Sequence, residues 1–122
     1  MNKQEVSESK YAGMVEEVRA IYAKHGANLF HKADEYGINE YYPSKSGGIE
    51  FVFYHDGISK IYTPDGYITP LGSYSHNGTT NALALPELIE RFGLELISDE
   101  SPTDWRKGER WITYKVTKGD TN

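Results

Sequence analysis

The sequence predicts a single α+β domain, an antiparallel β-sheet of about five strands with helices packed on one face. Three observations predict this class. Residues 49–71 contain three short runs rich in Ile, Val, Phe, Tyr and Thr, separated by two turn signals. Apolar side chains recur at helical spacing before and after this region, and a run near the C-terminus alternates apolar and polar side chains. We therefore assign residues 1–122 to one compact domain with a frayed tail at 118–122.

The first predicted element is an amphipathic helix that begins near Ser7 and ends at Gly26, because glycine is typical of a helix C-cap. Its apolar side chains recur at helical spacing, so they share one face that can pack on the sheet. They are Tyr11, Met14, Val15, Val18, Ile21 and Tyr22.

The segment after this helix predicts a short second helix over residues 27–37, with Asn28 as its N-cap and Gly37 as its end. The next residues, 38–42, predict an edge strand that ends at Pro43, since proline cannot donate a hydrogen bond to a strand ladder.

Residues 44–48 predict a flexible connector into an antiparallel meander of three strands over residues 49–71. Asp56 and Gly57 predict a tight hairpin in which the glycine supplies a positive φ. The second turn lies at 64–66, where proline presets φ.

The polar stretch 72–81 allows two interpretations. Its Asn-Gly pair at 77–78 closes a further hairpin between 72–76 and 79–83, or the whole stretch is a loop.

The last part of the chain predicts a short helix over 86–92, with a proline in its first turn and a glycine at its C-cap. Residues 94–97 predict a strand, 99–108 a charged loop and 110–117 a final strand. The apolar side chains on one face of the final strand are Ile112, Tyr114 and Val116.

The composition argues against several classes of function. The formal net charge of −5 disfavours a general nucleic-acid binder, which needs cations to displace counterions from phosphates. The absence of cysteine excludes disulfides, cysteine-ligated zinc and thiol chemistry. No stretch approaches the apolar length of a membrane span. We expect a soluble cytoplasmic protein without cofactors, whose ten Tyr side chains suit a surface that makes contacts.

Two histidines suit metal or acid–base chemistry by spacing alone. His31 precedes Asp34 and Glu35 at helical spacing, but a metal site would need at least one more ligand. His55 precedes Asp56 in a predicted turn, where adjacent side chains seldom face each other. We predict neither a metal site nor a catalytic group from these residues.

The polar stretch 72–81 also provides a candidate ligand site. A loop displayed by a rigid sheet is a common place for recognition, and this one carries an aromatic ring, a hydroxyl, an imidazole and an amide. The candidate ligand-binding residues are Tyr74, Ser75, His76 and Asn77.

The most unusual composition is at residues 105–111, where two tryptophans bracket three cations in an otherwise acidic chain. Trp and Arg are the residues most enriched at binding hot spots, and Arg over Trp forms cation–π contacts. Alternatively, one Trp covers the core and the cations pair with the acidic residues that precede them. The predicted partner-binding residues are Trp105, Arg106, Lys107, Arg110 and Trp111.

These observations favour a small, non-catalytic binding protein that acts by protein–protein contact, of the inhibitor, immunity or mobile-element antagonist type. An acidic chain would be steered towards a partner with a basic surface. A second hypothesis is a small-ligand-binding protein or small enzyme with a pocket near residues 72–81. A third is a structural subunit that buries its aromatic side chains in a homo-oligomer.

Overall fold

The structure is a computed structural model that describes residues 4–5, 10–32, 36–55, 57–75, 77–100 and 111–118. Within these residues, a five-stranded antiparallel sheet carries two helices on one face. The predicted α+β class is confirmed.

The two helices are α1 (Ala12–Lys24) and α2 (Gly78–Phe92). The strands of the described residues are, in chain order, β1 (Gln4–Glu5), β2 (Asn28–Leu29), β3 (Gly37–Ile38), β4 (Glu50–Tyr54), β5 (Gly57–Thr63), β6 (Gly66–Ile68), β7 (Tyr74–Ser75), β8 (Leu94–Asp99) and β9 (Trp111–Val116).

The main sheet has the strand order β6-β5-β4-β9-β8, with every pair antiparallel. The predicted meander is confirmed as β4, β5 and β6, and the two predicted C-terminal strands are β8 and β9. The short strands form two separate pairs, β1 with β3 and β2 with β7. Strand β4 therefore lies at the centre of the sheet, between β5 and β9.

The core lies between the helices and one face of the main sheet. The ring of Phe51 on β4 packs on Phe92 of α2, with ring centroids 5.1 Å apart. The hydroxyl of Tyr22 on α1 accepts a hydrogen bond from the backbone N–H of Ile58 at 3.0 Å, so the core also joins α1 to β5. Buried side chains of this core include Met14, Val15, Val18, Tyr22, Phe51, Phe53, Ile61, Ile68, Ala84, Leu88 and Phe92.

The predicted helix over 27–37 is wrong for its described residues. After α1, the chain reverses at Gly26, whose φ of 108° is in the region that favours glycine. Asn28 and Leu29 then pair with β7, and the next N–H, that of Phe30, donates to the carbonyl of Ser73 at 3.0 Å. Residues 33–35 lie outside the described residues.

The second helix begins at Gly78, earlier than the predicted 86–92 segment. Asn77 is its N-cap, because its side-chain oxygen accepts the N–H of Thr80 at 3.0 Å, so 77–78 does not close a hairpin. Pro86 lies inside the helix and provides no N–H for the carbonyl of Ala82. Both residues are exposed, so water can satisfy that carbonyl. The helix ends as predicted, with Gly93 in the left-handed conformation.

Two other boundaries differ from prediction. The predicted strand over 38–42 is shorter, because the side chain of Asn39 accepts the N–H of Tyr41 at 2.9 Å and turns the chain. In the first hairpin, the described residue with positive φ is His55, at 51°, and not Gly57. Gly57 instead lies close to another side chain, since a Cβ there would be 3.2 Å from the hydroxyl of Tyr74.

Helix α1 begins at Ala12, later than predicted from Ser7, and residues 7–9 lie outside the described residues. The hydroxyl of Tyr11 donates to Asp65 at 3.0 Å, which ties the start of the helix to the turn between β5 and β6.

A buried arginine joins α1 to the chain that follows β6. Arg19 is 8% exposed, and its guanidinium donates to the carbonyl of Pro70 at 3.2 Å and to that of Leu71 at 3.5 Å. The hydroxyl of Tyr36 also donates to the carbonyl of Leu71, at 3.1 Å. Because these carbonyls are buried, the donors are needed to satisfy them.

The C-terminal end of α1 is tied to α2 by a partly exposed cluster of charges. Glu87 accepts from Lys24 at 2.6 Å and contacts the ring nitrogen of His25 at 2.8 Å. The hydroxyl of Thr80 donates to the carbonyl of His25 at 3.0 Å. Hydrogen bonds from Lys24 and His25 lower the pKa of the Glu87 carboxyl group from its usual value of 4.5.

We predict that Arg19→Ala lowers the free energy of unfolding by about 2–4 kcal/mol, because it removes the Arg19 donor from the buried carbonyl of Pro70 and opens a cavity. The control is Arg91→Ala, which removes a partly exposed ion pair with Glu17 and should cost about 1 kcal/mol or less. Urea denaturation measures both. Equal losses for the two variants would contradict the structural role of Arg19.

A second prediction concerns the dependence of stability on pH. Because folding lowers the pKa of Glu87, its contribution to stability is fully present above pH 4.5 and is lost as pH falls through its folded pKa. Glu87→Gln should therefore destabilise the protein at neutral pH, and this effect should be smaller at an acidic pH below 4.5. Denaturation at both pH values checks this, with exposed Glu90→Gln as the control. A stability difference that does not change with pH would refute it.

Candidate functional site

The second face of the main sheet carries no helix in the described part of the chain. Side chains alternate along β4, so Phe51 and Phe53 face the helices while Glu50, Val52 and Tyr54 face the other way. We call this second side the open face. It comprises the outward side chains of the main sheet and the segment 41–46 that lies against them.

Aromatic side chains from five segments meet on the open face. Tyr62 on β5 pairs with Tyr67 on β6, with ring centroids 5.4 Å apart, and Tyr42 lies 6.2 Å from Tyr67. Tyr54 on β4 pairs with Trp111 on β9, with ring centroids 4.6 Å apart. Cross-strand aromatic pairs of this kind stabilise a sheet and also provide a broad contact surface.

A lysine lies between two of these rings. The amine of Lys60 is 5.4 Å from the ring centre of Tyr67 and 5.7 Å from that of Trp111. Both distances are within the range of cation–π attraction. The open face therefore already holds one cation against its aromatic rings.

A groove of about 710 Å³ crosses the open face next to this aromatic group. One wall is formed by the segment between β3 and β4, and the other by the end of β8 and the start of β9. The described residues that line it are Tyr41, Tyr42, Pro43, Lys45, Glu50, Val52, Tyr62, Ile97, Ser98, Glu100, Trp111 and Thr113. We refer to this feature below as the groove.

The most unusual group in the groove is the carboxylate of Glu50. This side chain is only 7% exposed, although it lies on β4 on the side away from the core. One oxygen accepts the backbone N–H of Ser46 at 3.1 Å. Among the described residues, no cation lies within ion-pairing distance of it. A buried carboxylate with a single hydrogen bond is costly for a fold to maintain.

Tyr62 lies opposite Glu50 on the neighbouring strand and lines the groove with it. Burial raises the pKa of the Tyr62 phenol above 10.0, and the charges of Tyr67 and Glu50 raise it further. The phenol is therefore neutral at physiological pH, and its hydroxyl can donate a hydrogen bond into the groove.

Of the predicted partner-binding residues, only Trp111 lies within the described residues. It begins β9, contacts Tyr54 and Lys60, and lines the groove. The other four, at 105–107 and 110, lie outside the described residues, so their role stays a prediction.

The sequence patterns do not predict four of the groove residues, which are Tyr41, Tyr42, Glu50 and Tyr62. The period of two along the predicted meander could have placed Glu50 and Tyr62 on the face opposite Phe51 and Ile61. No sequence pattern could have placed 41–42 against them, because that contact depends on how the segment before β4 folds back.

The described residues among the predicted ligand-binding residues at 74–77 have two different structural roles. Tyr74 and Ser75 form β7, Asn77 caps α2, and His76 lies outside the described residues. Tyr74 is half-buried, and burial raises the pKa of its phenol. It lines a small hollow of about 180 Å³ with Gly57, among other residues. That these four residues form one ligand-binding site stays a prediction.

Two histidines, His31 and His55, lie against aromatic rings. His31 makes an edge contact with Tyr36, with ring centroids 6.1 Å apart, and His55 lies 4.2 Å from the ring centre of Tyr54. Their predicted acidic neighbours, at 34–35 and 56, lie outside the described residues. Within the described ranges, no group of three or more His, Asp or Glu side chains is arranged to hold a metal ion.

Comparison with known proteins gives no significant match to any family model, curated protein or solved structure. Neither α1 nor α2, the helices of the described residues, is long and apolar enough to cross a membrane.

We predict that Glu50→Gln lowers the pKa of Tyr62, because it removes a negative charge that disfavours the phenolate. The pKa should stay above 10.0, since burial and Tyr67 continue to raise it. NMR titration of tyrosine labelled with carbon-13 at Cζ measures this, and Tyr62→Phe assigns the signal. An unchanged pKa would show that the two groups do not interact across the strands.

Proposed function

We propose that this protein is a small, non-catalytic binding protein of the cytoplasm, and that it acts by occupying the surface of a protein partner. Inhibitor, immunity and mobile-element antagonist proteins act in this way. The observation that carries the proposal is the open face, on which exposed aromatic rings surround a groove on a rigid sheet.

The chemistry of the open face suits contact with a protein. Tyr41 and Tyr42 are 58% and 60% exposed, and Ile97 on the opposite wall of the groove is 48% exposed. Tyr and Trp provide large, rigid contact areas, and they are enriched at the centres of protein interfaces. Exposed rings gathered around one groove are more typical of an interaction surface than scattered exposed side chains are.

The charge of the chain favours a basic partner. Its formal net charge is −5, and the edge strand β8 and the residue after it carry three exposed acids. They are Glu95, Asp99 and Glu100. Complementary charge raises the rate of encounter with a basic surface, and its effect falls as salt concentration rises.

A second candidate function is the binding of a small molecule in the hollow beside Tyr74. The observation in its favour is a half-buried phenol next to Gly57, in a cavity separate from the groove. The hollow measures about 180 Å³, which is below the volume of about 300–1,000 Å³ that is usual for ligand sites. We therefore rank it below protein binding.

The proposed function predicts one stoichiometric protein partner when the tagged chain is used for affinity capture at low salt in its native host. Tyr41→Ser/Tyr42→Ser should weaken binding to that partner by about 30-fold or more, because it removes two exposed rings from the groove wall. Calorimetry with the purified partner measures the change.

The matched control is Phe30→Ser/Leu83→Ser, which removes two exposed apolar side chains that do not line the groove. This variant should bind like the wild type. Capture of no partner, or equal affinity for the groove variant and the wild type, would contradict the proposal.

A further inference from the structure

We propose that the groove receives an arginine side chain of the partner, and that Glu50 at its floor is the counter-ion for that side chain. The inference rests on the proposed function, since it specifies which chemistry of the partner the open face recognises. It is carried by the position of one buried carboxylate within a wall of aromatic rings.

In the free protein, the carboxylate of Glu50 is mostly buried and makes few hydrogen bonds. The side chain is 7% exposed and has one hydrogen bond, from the N–H of Ser46 at 3.1 Å. The side chain of Lys115, which lies opposite on β9, is exposed and makes no ion pair with it. A carboxylate has two oxygens and about four acceptor positions, so most of this capacity is unused by the described residues.

Aromatic rings surround that carboxylate in the groove. Tyr41, Tyr42, Tyr62 and Trp111 line the same groove, and the faces of such rings attract cations. Lys60 shows that the open face binds a cation in this way, because its amine lies between the rings of Tyr67 and Trp111. Aromatic walls around a carboxylate are complementary to a cation on an apolar stem.

The described lining of the groove carries a net negative charge. Its described lining contains two acids, Glu50 and Glu100, and one base, Lys45. A carboxylate or phosphate of a partner would be repelled by the acid at the floor. A neutral side chain would leave that carboxylate buried without compensation. A cation of the partner is not repelled by Glu50, and it compensates the charge of that carboxylate.

Arginine suits the groove better than lysine does. Its planar guanidinium can stack on tyrosine or tryptophan and can still donate two hydrogen bonds to a carboxylate. Lysine provides a compact charge that is more strongly hydrated and does not stack. The groove, at about 710 Å³, is also larger than one side chain, so it can hold flanking residues of an extended segment.

The test uses the full chain, labelled with nitrogen-15, and N-acetyl-arginine amide as the probe in an NMR titration at millimolar concentration. We expect saturable shifts at the amide of Ser46 and at the indole of Trp111. The citrulline analogue has the same shape without the charge and should bind about 10-fold more weakly or not at all. The lysine analogue should also bind more weakly than arginine.

Glu50→Gln is the central variant, because the amide keeps an acceptor for the N–H of Ser46 and removes the charge. It should weaken binding of the arginine probe by about 10-fold or more. Glu90→Gln, at an exposed acid on α2, is the matched control and should have no effect. Tyr42→Ala, at an exposed position, tests the aromatic wall in case the central variant is unstable.

Equal binding of the arginine and citrulline probes, or no loss in Glu50→Gln, would overturn the inference. So would the absence of saturable shifts with arginine. Stronger binding of the lysine analogue would replace arginine by lysine as the side chain recognised. Shifts at Ser46 and Trp111 that depend on protein concentration alone would show that a second copy of the chain occupies the groove. That result would also overturn the inference.

The captured partner separates failure of this inference from failure of the proposed function. If Tyr41→Ser/Tyr42→Ser loses the partner and Glu50→Gln binds it normally, the open face is the interface but the arginine inference is wrong. If both variants bind it normally, the proposed function is wrong as well.

Discussion

The structure depends on the alternation of side chains along the central strand β4. Pairing with β5 and β9 on its two sides holds this strand in register, so its successive side chains must point to opposite faces. Phe51 and Phe53 are thereby directed into the core with α1 and α2, and Glu50 is directed away from it. The same constraint thus produces both the hydrophobic core and the floor of the groove.

The open face combines features that a fold does not need for its own stability. Aromatic pairs such as Tyr54 with Trp111 strengthen the sheet, but Tyr41 and Tyr42 are mostly exposed. Glu50 is 7% exposed and has one hydrogen bond, from the N–H of Ser46, with no cation of the described residues at ion-pairing distance. Features that do not contribute to stability are expected at functional sites. Here the exposed rings of Tyr41 and Tyr42 and the carboxylate of Glu50 line the same groove.

The fold was predicted from sequence where local signals are strong. The meander has alternating strands and turn residues, and the end of α2 has its glycine cap at Gly93. The prediction failed where a contact distant in sequence decides the structure. The sequence predicts that Asn28 begins a helix, but it pairs with Ser75. The pair at 77–78 is also typical of a hairpin turn, but Asn77 caps α2. An isolated window cannot distinguish these outcomes, because Asn suits turns and helix caps equally.

The sequence by itself determined the α+β class, the meander and the aromatic, acidic composition, because these follow from local periodicity and residue chemistry. It also singled out Trp111, through its unusual neighbours. Only the tertiary structure decided that Trp111 lines a groove with Tyr42, Tyr62 and Glu50. The physical reason is that β4 pairs with β9, a strand far along the chain, while the segment before β4 folds back over the sheet. Such contacts depend on the packing of the whole domain, and no local pattern encodes them.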